Sequence, residues 1–266
     1  MATHRLDVFG HAVAIEADDP AAFDRLDRFL PPFAKAGAFD AIDVRYRVIR
    51  RRSVPHLLIV RGRRIVAALD DPAAVARRLA ADLAVTISHR LRGRTLVHAG
   101  VVAIDGRAIV LPGRSGAGKS TLVRALIREG ADYGSDEFAV VDARGRVRPW
   151  ARWIEVRDRD GCVHHEDPRA LGARVIADDV AVDLVVFTSF QPGAGRTLQP
   201  ISAGRCAIGT IAHCLSARHR PAFVMSALGA LSMSARAFHG PRGDATAFAR
   251  KLLALARSTP RVARSA

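Results

Sequence analysis

The sequence predicts an α/β protein with an α+β tendency: a strand, glycine-rich loop and helix set in a mixed β-sheet, preceded by a smaller α/β unit. Three observations carry that expectation. The apolar run 108–111 leads into Gly113-Arg114-Ser115-Gly116-Ala117-Gly118-Lys119-Ser120-Thr121, and a helical pattern leads out. Strand patterns and helix patterns alternate along the chain. The 266 residues, 49% hydrophobic and 25% charged, are enough to bury a sizeable core.

Residues 1–92 form the first expected unit. Segment 6–16 alternates as a strand. Segment 20–30 reads as a short helix: Asp18-Asp19 offer a cap, Pro20 suits the first turn, and Pro31-Pro32 end it. Strands are expected at 42–50, 56–61 and 64–69, the last two joined by a tight turn at Arg61-Gly62-Arg63. Asp71-Pro72 opens a helix to about residue 91, with Val75, Leu79, Leu83 and Ile87 spaced four apart on one face. Gly93 ends it.

The pattern changes there, and 93–257 is the second expected unit. Runs 95–104 and 107–111 flank Asp105-Gly106, a strong hairpin pair. A helix should cover 120–128. Segments 138–141 and 146–150 should pair across Asp142-Ala143-Arg144-Gly145, and 180–187 is a buried strand by composition. Segments 206–216, 222–234 and 245–257 read as helices, and 258–266 as a frayed, disordered tail.

The net charge is +15, yet it is spread as scattered arginines; Lys35, Lys119 and Lys251 are the only lysines. No block of like charge is interleaved with aromatic residues, so nucleic acid is not an expected partner. No apolar run approaches the roughly 20 residues that span a bilayer, and the N-terminus has no signal-peptide core. Cys162, Cys206 and Cys214 form no CxxC pair, which reads as a reducing, cytoplasmic setting without membrane contact.

The glycine-rich loop matches GxxxxGK[ST], a P-loop, in full and in the right context. Its glycines let backbone N–H groups converge on a polyphosphate with no Cβ in the way. The helix N-terminus adds partial positive charge. Lys119 is expected to bridge the β- and γ-phosphates of ATP, and the Ser120 hydroxyl to help hold Mg²⁺. In a chain almost without lysine, one stands where the loop requires a compact ammonium.

A P-loop alone does not separate kinases, GTPases and ATPases. The run 181–187 ends in Thr188-Ser189 with no acid, and neither an NKxD nor an LSGGQ-like segment is present. The acidic pair at a credible position is Asp136-Glu137, directly after the loop helix. The strand after that helix is expected to run beside the P-loop strand, which would face its acid toward the γ-phosphate.

These residues resemble the HPr kinase/phosphorylase family. His98 stands 15 residues before Gly113, and Asp136 stands 17 after Lys119, as in that family. The resemblance runs over about 94–257 and is strongest over 97–142. It implies a P-loop kinase core of the HPr kinase/PEP carboxykinase-like type over 93–257, using ATP and Mg²⁺. It implies that Asp136 is the general base, that His98 lies beside the transferred phosphate, and that Glu137 replaces the family's second aspartate as a metal ligand. Ile154-Glu155-Val156-Arg157 is similar to the Glu-Ile-Arg of the family signature, which makes Glu155 a second acidic contact. The family is hexameric, but the segment that helps build that assembly departs from the family pattern here, so a homo-oligomer stays an open alternative. Asp158-Arg159-Asp160-Gly161-Cys162 departs from the family's glycine-rich signature, and reverse phosphorylase activity is not expected. The whole chain looks more like the stand-alone HPr-kinase-like proteins of peptide-modification systems, including lasso-peptide kinases.

The expected activity is therefore transfer of the γ-phosphoryl group to a hydroxyl of a peptide or small protein, with substrate recognition as the expected role of 1–92. Two alternatives stay open: an ATP-binding regulator with slow hydrolysis, and a kinase for a small metabolite. His164-His165-Glu166-Asp167 fits no metal-ligand spacing and reads as a solvated loop. Cys206 and Cys214 read as core residues of one helix. Trp150 and Trp153, near the acceptor side, read as core residues, with stacking on a substrate as the alternative.

Overall fold

In the computed structural model, the described residues are 2–18, 26–30, 39–50, 57–158, 160, 162–195 and 197–258. The expected tail over 259–266 and most of the expected helix over 20–30 lie outside them; within the latter, Leu26–Arg28 forms a single 3-10 turn. The chain divides into two units, residues 1–91 and 92–266.

The first unit is a five-stranded sheet in sequence order: β1 (Ala2–Val8), β2 (His11–Ala17), β3 (Val44–Arg50), β4 (Leu57–Arg61) and β5 (Arg64–Leu69). Only β2 and β3 run parallel. The single strand expected over 6–16 is instead the hairpin β1–β2. Its turn needs positive φ at Phe9 (54°) and Gly10 (81°), and a phenylalanine at the first of these positions gives no turn signal. Helix α1 (Pro72–Arg90) starts on Asp71, whose carboxylate accepts from the N–H groups of Ala73 and Ala74. Val75, Leu79, Leu83 and Ile87 are all buried, as their spacing predicts. Tyr46 and Arg61 reach across from the sheet to Asp82 of α1 at 2.7 and 2.8 Å.

The second unit is built on an eight-stranded mixed sheet with helices on both faces. Its strands are β6 (Arg94–Ile104), β7 (Arg107–Pro112), β8 (Asp132–Ser135), β9 (Phe138–Asp142), β10 (Val147–Pro149), β13 (Ala181–Phe187), β14 (Gln199–Ile201) and β15 (Arg236–His239). A separate hairpin pairs β11 (Ile154–Arg157) with β12 (Val163–Glu166). The sheet order is β10-β9-β6-β7-β13-β15-β14, with β8 also on β6. Strands β7, β13 and β15 are mutually parallel. Helix α2 (Lys119–Arg128) and helix α5 (Ala245–Arg257) cover one face, where Leu122 and Leu126 meet Phe248 and Leu252. Helix α3 (Ala203–Ile211) and helix α4 (Pro221–Ser234) cover the other, where Cys206, Val224 and Leu228 pack on Val110 and Val185. Strand β7 is buried on both faces, which is why it reads as a continuous apolar run.

The architecture is mixed α/β with five helices among the described residues, as expected. Several details differ. The strand after α2 does not run beside the P-loop strand: β8 pairs antiparallel with β6, and the neighbours of β7 are β6 and β13. Helix α3 stops at Ile211, so Cys214 is off the helix and only half-buried, 3.0 Å from the Thr95 hydroxyl. Residues 163–166 are a strand rather than a loop, because Val163 and the side of β11 give them a pairing edge. Strand β15 gave no length signal, yet four residues suffice for a central strand paired on both sides. Among the described residues, no helix is long and apolar enough to cross a membrane.

Candidate active site

The site is assembled at the point where β6 outlasts β7. Residues 99–104 of β6 pair with 107–112, and then the chain leaves β7 as the P-loop. The next pair in that register is His98 with Gly113, and the Gly113 N–H donates to the His98 carbonyl at 3.2 Å. The hairpin therefore fixes the histidine at the root of the loop. The edge of β6 vacated by β7 is taken by residues 213–215: the His98 N–H donates to the His213 carbonyl at 2.8 Å, and Leu215 N–H to the Leu96 carbonyl at 2.9 Å.

The loop follows its glycines. Gly116 and Gly118 hold φ of 82° and 79°, a region open to glycine at little cost. Gly118 caps α2 without a side chain. The buried Lys119 ammonium donates to the carbonyls of Gly113 and Arg114, both at 2.8 Å. Burial pushes its pKa down to about 8, against the pull of Asp136 and Glu137.

The opposite edge of β6 supplies the acids. Strands β8 and β9 follow each other along it, and Asp136-Glu137 lie in the step between them. Gly134 makes the approach possible, since a Cβ there would sit 2.8 Å from the Val101 carbonyl. Asp136 is 3% exposed. Its Oδ2 accepts from the Ser120 hydroxyl at 2.8 Å and from the Glu155 N–H at 3.3 Å. Its Oδ1 lies 3.6 Å from Arg152 Nε and 3.4 Å from the Tyr133 hydroxyl, which donates to the Arg152 carbonyl at 2.8 Å. Arg152 also holds Glu137 Oε2 at 2.7 Å. Burial raises the pKa of Glu137, while Arg152 opposes the shift and Asp136 and Glu155 add to it. Burial opposes the Arg152 charge, but Glu137 and Asp136 outweigh it and keep its pKa raised.

His98 packs against Phe138, ring centroids 5.6 Å apart. Burial first, and then the charges of Lys119, His213 and Arg152, push its pKa down to about 3. Burial, Lys119 and Arg114 lower that of His213 as well.

The structure thus brings His98, Lys119, Ser120, Asp136 and Glu137 to the P-loop, with Glu155 reaching Asp136 through its backbone. Gly113, Arg114, Ser115, Gly116, Ala117, Gly118 and Thr121 complete the loop and the first turn of α2. Sequence reasoning missed Arg152, Tyr133 and His213. Arg152 and Tyr133 carry no motif of their own; each becomes part of the site only because β8 and the segment before β11 fold onto the same acid. Trp150 is buried against Phe138 in an edge contact at 5.9 Å. His164 faces Asp158 at 3.4 Å. Among the described residues, no group of three or more His, Cys, Asp or Glu side chains could hold a metal ion unaided.

No family model matches the chain. Over 109 residues it is 28% identical to the HPr kinase/phosphorylases of Streptococcus pneumoniae strains Hungary19A-6 and JJA, a match covering 41% of this chain and 35% of each relative. The chain thus matches about a third of the length of these curated relatives. Among solved structures, the Hpr(Ser) kinase/phosphatase from Coxiella burnetii aligns with a TM-score of 0.38 at 14% identity, covering 61% of this chain and 95% of that one. The 109-residue match agrees with the resemblance to HPr kinase/phosphorylase expected from the sequence.

Proposed function

We propose that this chain is an ATP-dependent kinase that transfers the γ-phosphoryl group of ATP to a hydroxyl of a peptide or small protein. The observation that carries the proposal is the 2.8 Å hydrogen bond from Ser120 to Asp136. It sets a buried carboxylate against the first helical turn of the P-loop, where the terminal phosphate of a seated nucleotide lies.

The residues fit Mg²⁺–ATP. Mg²⁺ takes one or two protein carboxylates and completes its shell with phosphate oxygens and water, so a partial donor set is what such a site requires. Ser120 and Glu137 are the proposed protein ligands, with Glu155 as the further acid. When bound, the metal would neutralise charge on the β- and γ-phosphates. Lys119 would exchange its carbonyl partners for phosphate oxygens. Asp136 would accept the proton of the attacking hydroxyl while the new O–P bond forms and the bond to ADP breaks. His98, at the root of the loop, would line the transferred phosphate. Positioned bases contribute about 10²- to 10⁴-fold in rate.

The curated relatives are named for a kinase of HPr, which favours a peptide or protein acceptor over a metabolite. A ribosomal peptide precursor of the lasso-peptide kind is the first acceptor to try, with residues 1–92 as the unit that recognises it. The test is transfer of label from γ-labelled ATP. Labelled peptide supports the proposal. Free phosphate alone would leave a slow ATPase with a regulatory role, and a labelled metabolite would move the acceptor to another class.

A further inference from the structure

The three parallel strands β7, β13 and β15 all end on one edge of the sheet, and ligands of parallel sheets bind in the crevice outside such carboxyl ends. Strand β7 continues into the P-loop. The other two continue into residues 188–190 and 240–242, which are bridged to each other at Phe190 and Arg242. The Arg242 N–H donates to the Ser189 carbonyl at 3.0 Å, and its carbonyl accepts from Gln191 at 2.9 Å.

Two side chains on this flank are unusual. Arg242 is 2% exposed, and its Nη2 and Nη1 donate to the carbonyls of Gly118 (2.8 Å) and Gly243 (3.3 Å). A Cβ at Gly118 would lie 2.3 Å from its Nη2, so the last P-loop glycine is also what admits the guanidinium. Beside it, Phe190 is 55% exposed, its ring centroid 5.6 Å from the guanidinium carbon. One side of the ring is braced by a buried cation, and the side chain still shows over half its surface to solvent. An apolar ring open to solvent beside a P-loop, with a cation against it, has the form of a stacking surface for a π-face.

Asp136 stands on the opposite flank, on the far edge of β6 between β8 and β9. A nucleotide whose terminal phosphate points there has the β13–β15 flank on the other side of the loop for its nucleoside. We propose that Phe190, braced by Arg242, is the platform on which the base of the bound nucleoside triphosphate stacks. This rests on the reading of Gly113–Thr121 as the phosphate site, and it adds the feature that distinguishes a nucleotide from bare polyphosphate.

The test is calorimetric titration of the whole chain with Mg²⁺–ATP and, separately, with inorganic tripolyphosphate. Phe190→Ala should weaken ATP by about tenfold and tripolyphosphate by less than about twofold, given the usual worth of one base stacked on one aromatic ring. Phe190→Trp should keep ATP affinity near that of the native chain. Phe190→Ala binding ATP as the native chain does, or losing both ligands equally, would overturn the platform while leaving the phosphate site intact. A native chain that binds neither ligand would overturn the phosphate site, and the platform with it.

Discussion

The hydroxyl of Ser120 donates to Asp136 across 2.8 Å, tying the first turn of α2 to the step between β8 and β9. Two segments on opposite sides of β6 are thereby joined at one point. If that point holds Mg²⁺, Ser120→Ala should weaken Mg²⁺–ATP by about tenfold and leave metal-free ATP nearly unchanged. Equilibrium titration with and without Mg²⁺ checks it. Equal loss under both conditions would mean the hydroxyl only braces the loop.

Lys119 predicts a pH dependence. Burial disfavours its ammonium and brings its pKa from the ordinary 10.5 to about 8. Only the charged form attracts polyphosphate. Affinity for ATP should therefore be level below pH 8 and fall as pH rises above it. A profile flat to the ordinary lysine range would contradict the burial of this amine.

His98 predicts a stability profile of the opposite sense. Its native pKa, about 3, lies below the ordinary 6.5. The unfolded chain therefore takes up the proton first as pH falls. Stability is full above pH 6.5 and is lost progressively below it. Between pH 7 and pH 5 this histidine alone should cost about 2 kcal/mol. Urea midpoints at the two pH values check it, and His98→Gln should lose correspondingly less on acidification.

Arg152 lies between two carboxylates, 3.6 Å from Asp136 and 2.7 Å from Glu137, and its side chain is 7% exposed. Removing one member of a buried charge cluster typically costs about 3–5 kcal/mol. Arg152→Met should destabilise the chain by about that much at pH 7. Burial already raises the pKa of Glu137, so without the arginine it should protonate more readily. The penalty should shrink as pH falls. A penalty independent of pH would point to lost packing instead.

Much of this was legible because it is local. The hairpin β6–β7, the P-loop and α2 are consecutive in sequence, and fixed hydrogen-bond register puts His98 opposite Gly113 whatever the rest of the chain does. The helix α1 declared itself through an Asp-Pro start and a four-residue apolar spacing. What escaped was non-local. The pairing of β8 with β6 rather than with β7 depends on which sheet edge is free, which no segment encodes alone. Strand β15 is four residues long, too short for a period. Arg152 and Arg242 look like any other arginine in a chain rich in them, and only burial beside Asp136 and Gly118 distinguishes them.

The most direct measurement compares Asp136→Asn with the native chain for ATP binding and for phosphoryl transfer to a peptide acceptor. Transfer should fall by about 10² to 10⁴ while ATP affinity stays within a few-fold. An Asn variant that transfers phosphate at the native rate would show that this carboxylate does not take the proton.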